Sequence, residues 1–314
     1  MNIASVCITG FPAQRRSSNA PRLEVLDAIL VHANSLWRDL DAVVLPGGYF
    51  AVSGHGCFYR NRRRDHLDRH DLIEPLLRVR SRLTRSKGAW LVAGIDSPAA
   101  GRLGGDHLCV AYGPRSRVQI ARKIFPSAFQ PEYICNAGDF GCDQRVIALP
   151  SGPRAILGAC YDGFGVADTQ QQSTTRRRLI RNIEDDDGSI AQLRLRRVKA
   201  DCIAAHAALI AQAKPTVGLY AIHQFPSSRG VTFWQRHGIA ASAAALKGSA
   251  SGAAHFGKRL PDTPDASTLA ATNVPHRHLT MQDRTRRRAW TWEPAASTLI
   301  STPIGDALLR LFEQ

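Results

Sequence analysis

Apolar positions along the chain gather into runs of strand length that alternate with stretches of helical spacing. Residues 2–9 form an apolar run that reads as a buried first strand, and a polar loop with Gly, Pro and Ser follows from Gly10 to Ala20. From Pro21, Leu23, Leu26, Ile29, Leu30 and Leu36 or Trp37 recur on one helical face, and the helix is expected to end near Asp39-Leu-Asp41. Ala42-Val-Val-Leu-Pro46 is then a short strand stopped by proline and two glycines, so the chain opens as strand, helix, strand in α/β fashion. A polar basic loop over 53–70 enters a helix through Leu72, Ile73, Leu76, Leu77 and Val79 toward Leu83, with Pro75 in its first turn or at a break.

Further along, 88–96 and 106–112 read as two strands paired antiparallel across a Gly-rich loop. Residues 145–149 and 154–159 flank Pro150-Ser-Gly-Pro153, which predicts a second hairpin. Partial alternation over 177–198 around Asp185-Asp-Asp-Gly188 predicts a third, with Leu193 and Leu195 on one face and Arg194 and Arg196 on the other; a helical hairpin is the alternative. The arm 166–198 is expected to be an insertion that covers the site or meets a neighbouring subunit. A helix over 200–214 stopped by Pro215, a strand over 216–222, a short helix over 230–237 containing Trp234 and a strand over 238–245 complete the regular part. Residues 260–314 read as a divergent tail of loops with a final helix from about Thr302 to Phe312.

Composition narrows the choice of partner. With 314 residues, 44% of them hydrophobic, the chain can bury a full core, and it is read as one domain over 1–314. Lys plus Arg outnumber Asp plus Glu by 41 to 26, a net charge of +15 that brings acidic partners into view. The excess lies in arginine runs such as 62–64, 176–178 and 286–288, the pattern of solvated faces, and no helix-turn-helix, zinc-finger or RNP signature accompanies them. Nucleic-acid binding is therefore the lesser reading. The seven cysteines include no C-x-x-C pair, so neither a disulfide framework nor a zinc ribbon is expected. His55, Cys57, His66 and His70 have no standard ligand spacing, and no metal or other cofactor is expected. Without a basic n-region at the N-terminus or an apolar run of spanning length, the expected setting is the cytoplasm, away from any membrane.

Chemistry concentrates in Arg154-Ala-Ile-Leu-Gly-Ala-Cys160-Tyr-Asp162-Gly163, where a strand ends on a cysteine and passes at once into a Gly-containing turn. A sharp bend of this kind presents a nucleophile, although a lone cysteine is more often a small buried hydrophobe. Upstream lies Ala121-Arg-Lys123-Ile-Phe125-Pro126, followed by Glu132. Over roughly residues 1–250 these segments resemble the carbon–nitrogen hydrolase (nitrilase/amidase) family, in which a lysine, a glutamate and a cysteine followed by an aromatic and an acid surround the substrate. The resemblance implies a four-layer αββα sandwich of the nitrilase type, hydrolysis of a small amide through a cysteine thioester, and a homodimer. It casts Cys160 as nucleophile, Lys123 as holder of the oxyanion and Glu132 as assisting carboxylate. The backbone N–H of Tyr161 would join the oxyanion hole, and His223, on the loop after the 216–222 strand, would line the pocket; a satisfied core or loop histidine is its ordinary reading.

One position departs from the family pattern. The second strand of the family ends in Pro-Glu, the glutamate being the general base, whereas here Pro46 is followed by Gly47 and Gly48. An unassisted thiol of pKa ~8.5 is only a few per cent thiolate at neutral pH. Glu132 could take the base role, another side chain such as His55 could supply it, or the chain is a catalytically silent binding member of the fold.

Overall fold

The computed structural model describes residues 1–9, 19–52, 63–96, 107–124, 134–136, 143–160, 162–163, 182–184, 190–192, 196–224, 242, 246, 248–256, 280–283, 288–291, 295–302 and 305–313. Its first half comprises β1 (Asn2–Thr9), α1 (Asn19–Leu36), β2 (Ala42–Val44), β3 (Phe50–Ala51), α2 (Arg63–Asp68), α3 (Glu74–Arg80), β4 (Trp90–Asp96), β5 (His107–Tyr112), β6 (Val118–Arg122) and β7 (Ile134–Asn136). The remainder comprises β8 (Val146–Ala148), β9 (Arg154–Ala159), β10 (Asn182–Glu184), β11 (Ile190–Gln192), α4 (Arg196–Ala213), β12 (Val217–Gln224), β13 (Ser249–Phe256), β14 (Thr280–Asp283), β15 (Arg288–Thr291), β16 (Ala296–Thr302) and β17 (Gly305–Glu313).

Strand periodicity builds the layers. Successive side chains of a strand point to opposite faces. Thus Val43, Leu91, Ala93, Leu108 and Val110 join one buried cluster with Val25, Leu26, Ile29, Leu30 and Ala33 of α1 and Leu76 of α3. Their neighbours Ala42, Val44, Val92, Cys109 and Ala111 turn the other way and pack against Ala155, Leu157, Ala159, Val217, Leu219 and Ala221 of the second half. Ile156, on the far face of β9, meets Ile210 of α4 and Leu246. The order is helix, sheet, sheet, helix, the αββα sandwich. Small residues at the inner interface let the sheets approach closely, and Trp90 Nε1 donates across it to the Ala148 carbonyl at 2.9 Å.

The strand order β6-β5-β4-β2-β1-β13-β12-β9-β8 runs continuously through both halves. β2 is parallel to β1 and β4, and β12 is parallel to β13 and β9. β1 joins the halves through a parallel pairing with β13. β5 is antiparallel to both β4 and β6, so β6 again points the way of β4. Consequently β2, β4, β6, β9 and β12 deliver their carboxyl ends to one end of the sandwich, where ligands of parallel sheets usually bind.

Several expectations are met. The 88–112 pair and the 145–159 hairpin form as read, and the Asp-Gly arm is a β-hairpin, with Ile183 opposite Ala191. That hairpin extends a three-stranded sheet through the parallel pairing of β10 with β7. The helix expected through Leu72 toward Leu83 is α3, which ends at Arg80 and carries Pro75 in its first turn, whereas α2 forms within the 53–70 stretch that reads as a loop. α4 begins at Arg196, before the expected residue 200, and Leu193 and Leu195 lie outside the described residues.

Two readings are corrected. The tail ends in a strand rather than a helix: β17 pairs antiparallel with β1 from Asn2 to Ile8 and with β16 from Ala296 to Thr302. With a partner on each side and both faces covered, β17 lacks the alternation that marks a half-exposed strand, and its apolar run reads equally as a helix. The strand expected over 238–245 is likewise not formed at Ser242, which is helical, as is Leu246. The next described strand is β13, made largely of Ser, Ala and Gly, whose central place between β1 and β12 overrides weak strand propensity. The short helix expected over 230–237 lies outside the described residues. Among the described residues no helix is long and apolar enough to cross a membrane.

Candidate active site

Cys160 leaves the end of β9 at φ 49°, in the left-handed region that non-glycine residues rarely adopt. Its N–H donates to the Ala221 carbonyl of β12 at 2.9 Å, so the bend grows directly from the β9–β12 ladder. The side chain is buried, with 9% of the residue exposed. Asp162, also buried, locks the turn: it accepts from the Ala159 N–H at 3.1 Å and from the Ile124 N–H at 2.8 Å, and Arg145 Nη1 donates to it at 3.4 Å. Arg145 Nη2 in turn donates to the Arg122 carbonyl. The elbow and the lysine segment are thereby tied together by one carboxylate and one guanidinium.

Lys123 follows the end of β6, its N–H donating to the His107 carbonyl at 2.8 Å, and its side chain is buried. Burial pulls the ammonium pKa down, opposed by the negative charge of Cys160, Asp162 and Asp96. Burial also opposes ionisation of the Cys160 thiol. Lys123 and a hydrogen bond from His223 more than offset it, so the thiol titrates below its ordinary value.

His223, near the end of β12, is the group the sequence placed least firmly. Its Nε2 lies 2.9 and 3.0 Å from the two carboxylate oxygens of Asp96, at the end of β4. Burial disfavours the imidazolium, but Asp96 and then Cys160 more than compensate and raise its pKa to about 9. His107, paired with Asp96 in the β4–β5 ladder, places its ring 4.2 Å from that of His223 and its Nε2 4.0 Å from Asp96 Oδ1. Asp96, His107 and His223 bring one donor atom each within 4.8 Å of one another, a grouping that could hold a metal ion. The short contacts between Nε2 and both carboxylate oxygens are those of a carboxylate–imidazole hydrogen bond, which accounts for the same atoms without an ion.

The turn after β2 completes the arrangement. The Gly47 N–H donates to the Ile222 carbonyl at 2.8 Å, pressing the backbone against β12. A Cβ at Gly47 would lie 2.8 Å from His223 Nδ1, and one at Gly48 (φ 65°) would lie 2.5 Å from Asp96 Oδ2. The two glycines therefore leave the histidine and the aspartate the space that side chains at 47 and 48 would take. Behind them, Arg22 Nη1 donates to the Tyr49 carbonyl while Tyr49 Oη donates to the Arg22 carbonyl, both at 2.9 Å, which fixes the exit of the turn to α1.

Of the residues singled out from sequence, the structure brings Cys160, Lys123 and His223 together. Glu132, Tyr161 and His55 lie outside the described residues. Sequence reasoning gave no role to Asp96, His107, Asp162 or Arg145. Asp162 carried a signal, as the acid two places after the cysteine, whereas Asp96 stands 127 residues from His223 and had none.

No protein-family model and no curated protein matches the sequence. Among solved structures, the chain is similar to the NitFhit protein of C. elegans at 12% identity and TM-score 0.45, covering 99% of this chain and 60% of that one. A carbon-nitrogen hydrolase from Helicobacter pylori G27 aligns at 11% identity and TM-score 0.45, over 100% of this chain and 90% of that one. A CN-hydrolase superfamily protein from Xanthomonas campestris, with an arsenic adduct in its active site, aligns at 12% identity and TM-score 0.43, over 100% and 91%.

Proposed function

We propose that the chain hydrolyses a non-peptide carbon–nitrogen bond, in a small amide, through a thioester on Cys160. The observation that supports this best is a buried cysteine held on a left-handed elbow and coupled to a buried lysine that favours its thiolate. In this reading the Cys160 sulfur attacks the carbonyl carbon and the carbonyl π pair moves to oxygen. Lys123 and the N–H of Tyr161 hold that oxyanion, a role for which single donors are worth roughly 3–4 kcal/mol. Collapse expels the amine with a proton, and water then releases the acid from the thioester. Glu132 is assigned, from the sequence resemblance, to assist at the same centre, and two copies of the chain are proposed to pair.

The test is intact-mass spectrometry after incubation with a panel of simple amides and an electrophilic amide analogue, with Cys160→Ala as control and ammonia measured in parallel. A mass gain mapping to Cys160, absent from the control and accompanied by ammonia, is the expected result. Labelling no faster than at the other six cysteines, without ammonia, would refute the hydrolase and leave the silent scaffold.

A further inference from the structure

Any thioester mechanism must move a proton from the thiol to the departing nitrogen, and the turn after β2 offers no carboxylate for this, because Pro46 is followed by two glycines. The volume is nonetheless occupied. The His223 ring stands where a Gly47 side chain would begin, 2.8 Å from the position of its Cβ at Nδ1 and 2.9 Å at Cε1. Nε2 is bound to Asp96, which leaves Nδ1 as the ring nitrogen for the hydrogen bond between His223 and Cys160. Carboxylate, imidazole and thiol thus form a chain along the carboxyl ends of β4, β12 and β9.

We infer that His223, oriented by Asp96, takes the proton of the Cys160 thiol and delivers it to the leaving amine, in place of the carboxylate missing at Gly47. The inference rests on the thioester reading above. In the resting site the thiol proton resides on His223, giving a thiolate–imidazolium pair. Sulfur attacks the carbonyl carbon, the oxyanion collapses, the C–N bond breaks, and its electron pair takes the proton from His223. The neutral imidazole then removes a proton from the water that attacks the thioester and returns it to the departing sulfur, or retains it as the resting pair re-forms. No further reactant is required. Asp96 is the positioning residue, holding the ring and its charge. Among the described residues, Lys123, Asp162 and His107 also interact with this assembly.

The pair predicts how Cys160 alkylation by iodoacetamide varies from about pH 4 to about pH 10, read at each cysteine by peptide mass spectrometry. Wild-type Cys160 reacts below the ~8.5 of a free thiol. A second change near pH 9 marks loss of the imidazolium proton. His223→Asn leaves one inflection at higher pH, and each unit lost lowers the thiolate at neutral pH about tenfold. Asp96→Asn moves the upper inflection down from about 9, an effect that a merely structural aspartate would not have. Should His223→Asn fail to fold, Cys160→Ser carries the test: without the thiolate, the imidazole titration followed by NMR falls below about 9.

A wild-type profile retained in His223→Asn, or an imidazole titration unmoved in Cys160→Ser, overturns the inference; ammonia release by His223→Asn at the wild-type rate would do the same while leaving the hydrolase intact. Two inflections without ammonia from any amide would remove the amide reading and leave the Cys160–His223 pair standing.

Discussion

Adding one methyl group at Gly47 tests the site's geometry. In Gly47→Ala the new Cβ meets His223 Nδ1 at 2.8 Å and Cε1 at 2.9 Å, and the Ala221 carbonyl oxygen at 3.0 Å. Ordinary contact begins at 3.4 Å, so the ring must retreat by about 0.6 Å, the difference between 3.4 and 2.8 Å, while the Ala221 carbonyl gives by a few tenths of an ångström. A bond of 2.9 Å to Asp96 stretched by that amount reaches the outer limit of hydrogen bonding. Hydrogen bonds to charged groups contribute about 1.5–3 kcal/mol. Losing the one to Asp96, which orients the ring and holds its charge, should slow Cys160 alkylation at neutral pH by roughly 10- to 150-fold. Rates are compared with a thermal melt on the same samples, and the substitution is repeated in a His223→Ala background. The loss should shrink to within about twofold there, because its mediator is gone. An unchanged rate in the single variant, or an equal loss in both backgrounds, would refute the claim that Gly47 acts by leaving room for the imidazole.

Two further expectations concern the frame around the site. Asp162→Ala takes the Asp162 carboxylate away from the buried Arg145 and strips two backbone N–H groups of their acceptor, which should cost about 3–5 kcal/mol in denaturant unfolding; a loss under about 1 kcal/mol would show that the elbow is held by other means. Among the described residues, Tyr112 Oη is buried without a hydrogen-bond partner, so Tyr112→Phe should be neutral or stabilising by up to about 1 kcal/mol. Destabilisation beyond about 1.5 kcal/mol would reveal a partner for that hydroxyl.

What the sequence disclosed depended on how local each signal was. β2, β4, β5 and β9 are apolar runs bounded by Gly, Pro or charge, and α1 shows a continuous helical face, so their positions were readable one segment at a time. β17 was misread because burial on both faces erases alternation, and β13 went unread because Ser, Ala and Gly give no strand signal. The site divides in the same way. Cys160 and Lys123 sit in short segments with their own pattern, whereas Asp96 and His223 become partners only when β4 and β12 end at the same edge. The missing carboxylate at Gly47 was visible as an absence, but what fills the space was not.

Occupation of that space sets a side chain at position 47 against the His223 imidazole in its observed place. A Cβ at 47 collides with the ring, and a Cβ at 48 collides with the carboxylate that orients it, so the histidine arrangement requires Gly47, Gly48, Asp96 and His223 together. No single substitution therefore restores a carboxylate base: Gly47→Glu alone would displace the imidazole before its own carboxylate could reach the thiol. The chemical consequence favours the observed set. An isolated imidazole, with a pKa of ~6.5, lies nearer the ~8.5 of a thiol than does a carboxylate at ~4.3, so proton transfer between them is less uphill. Asp96 narrows the gap further by raising the imidazole to about 9, and Lys123 does so from the other side by favouring the thiolate. In this arrangement the proton leaves the sulfur without a carboxylate at position 47, and it already rests on the group inferred to deliver it to the departing amine.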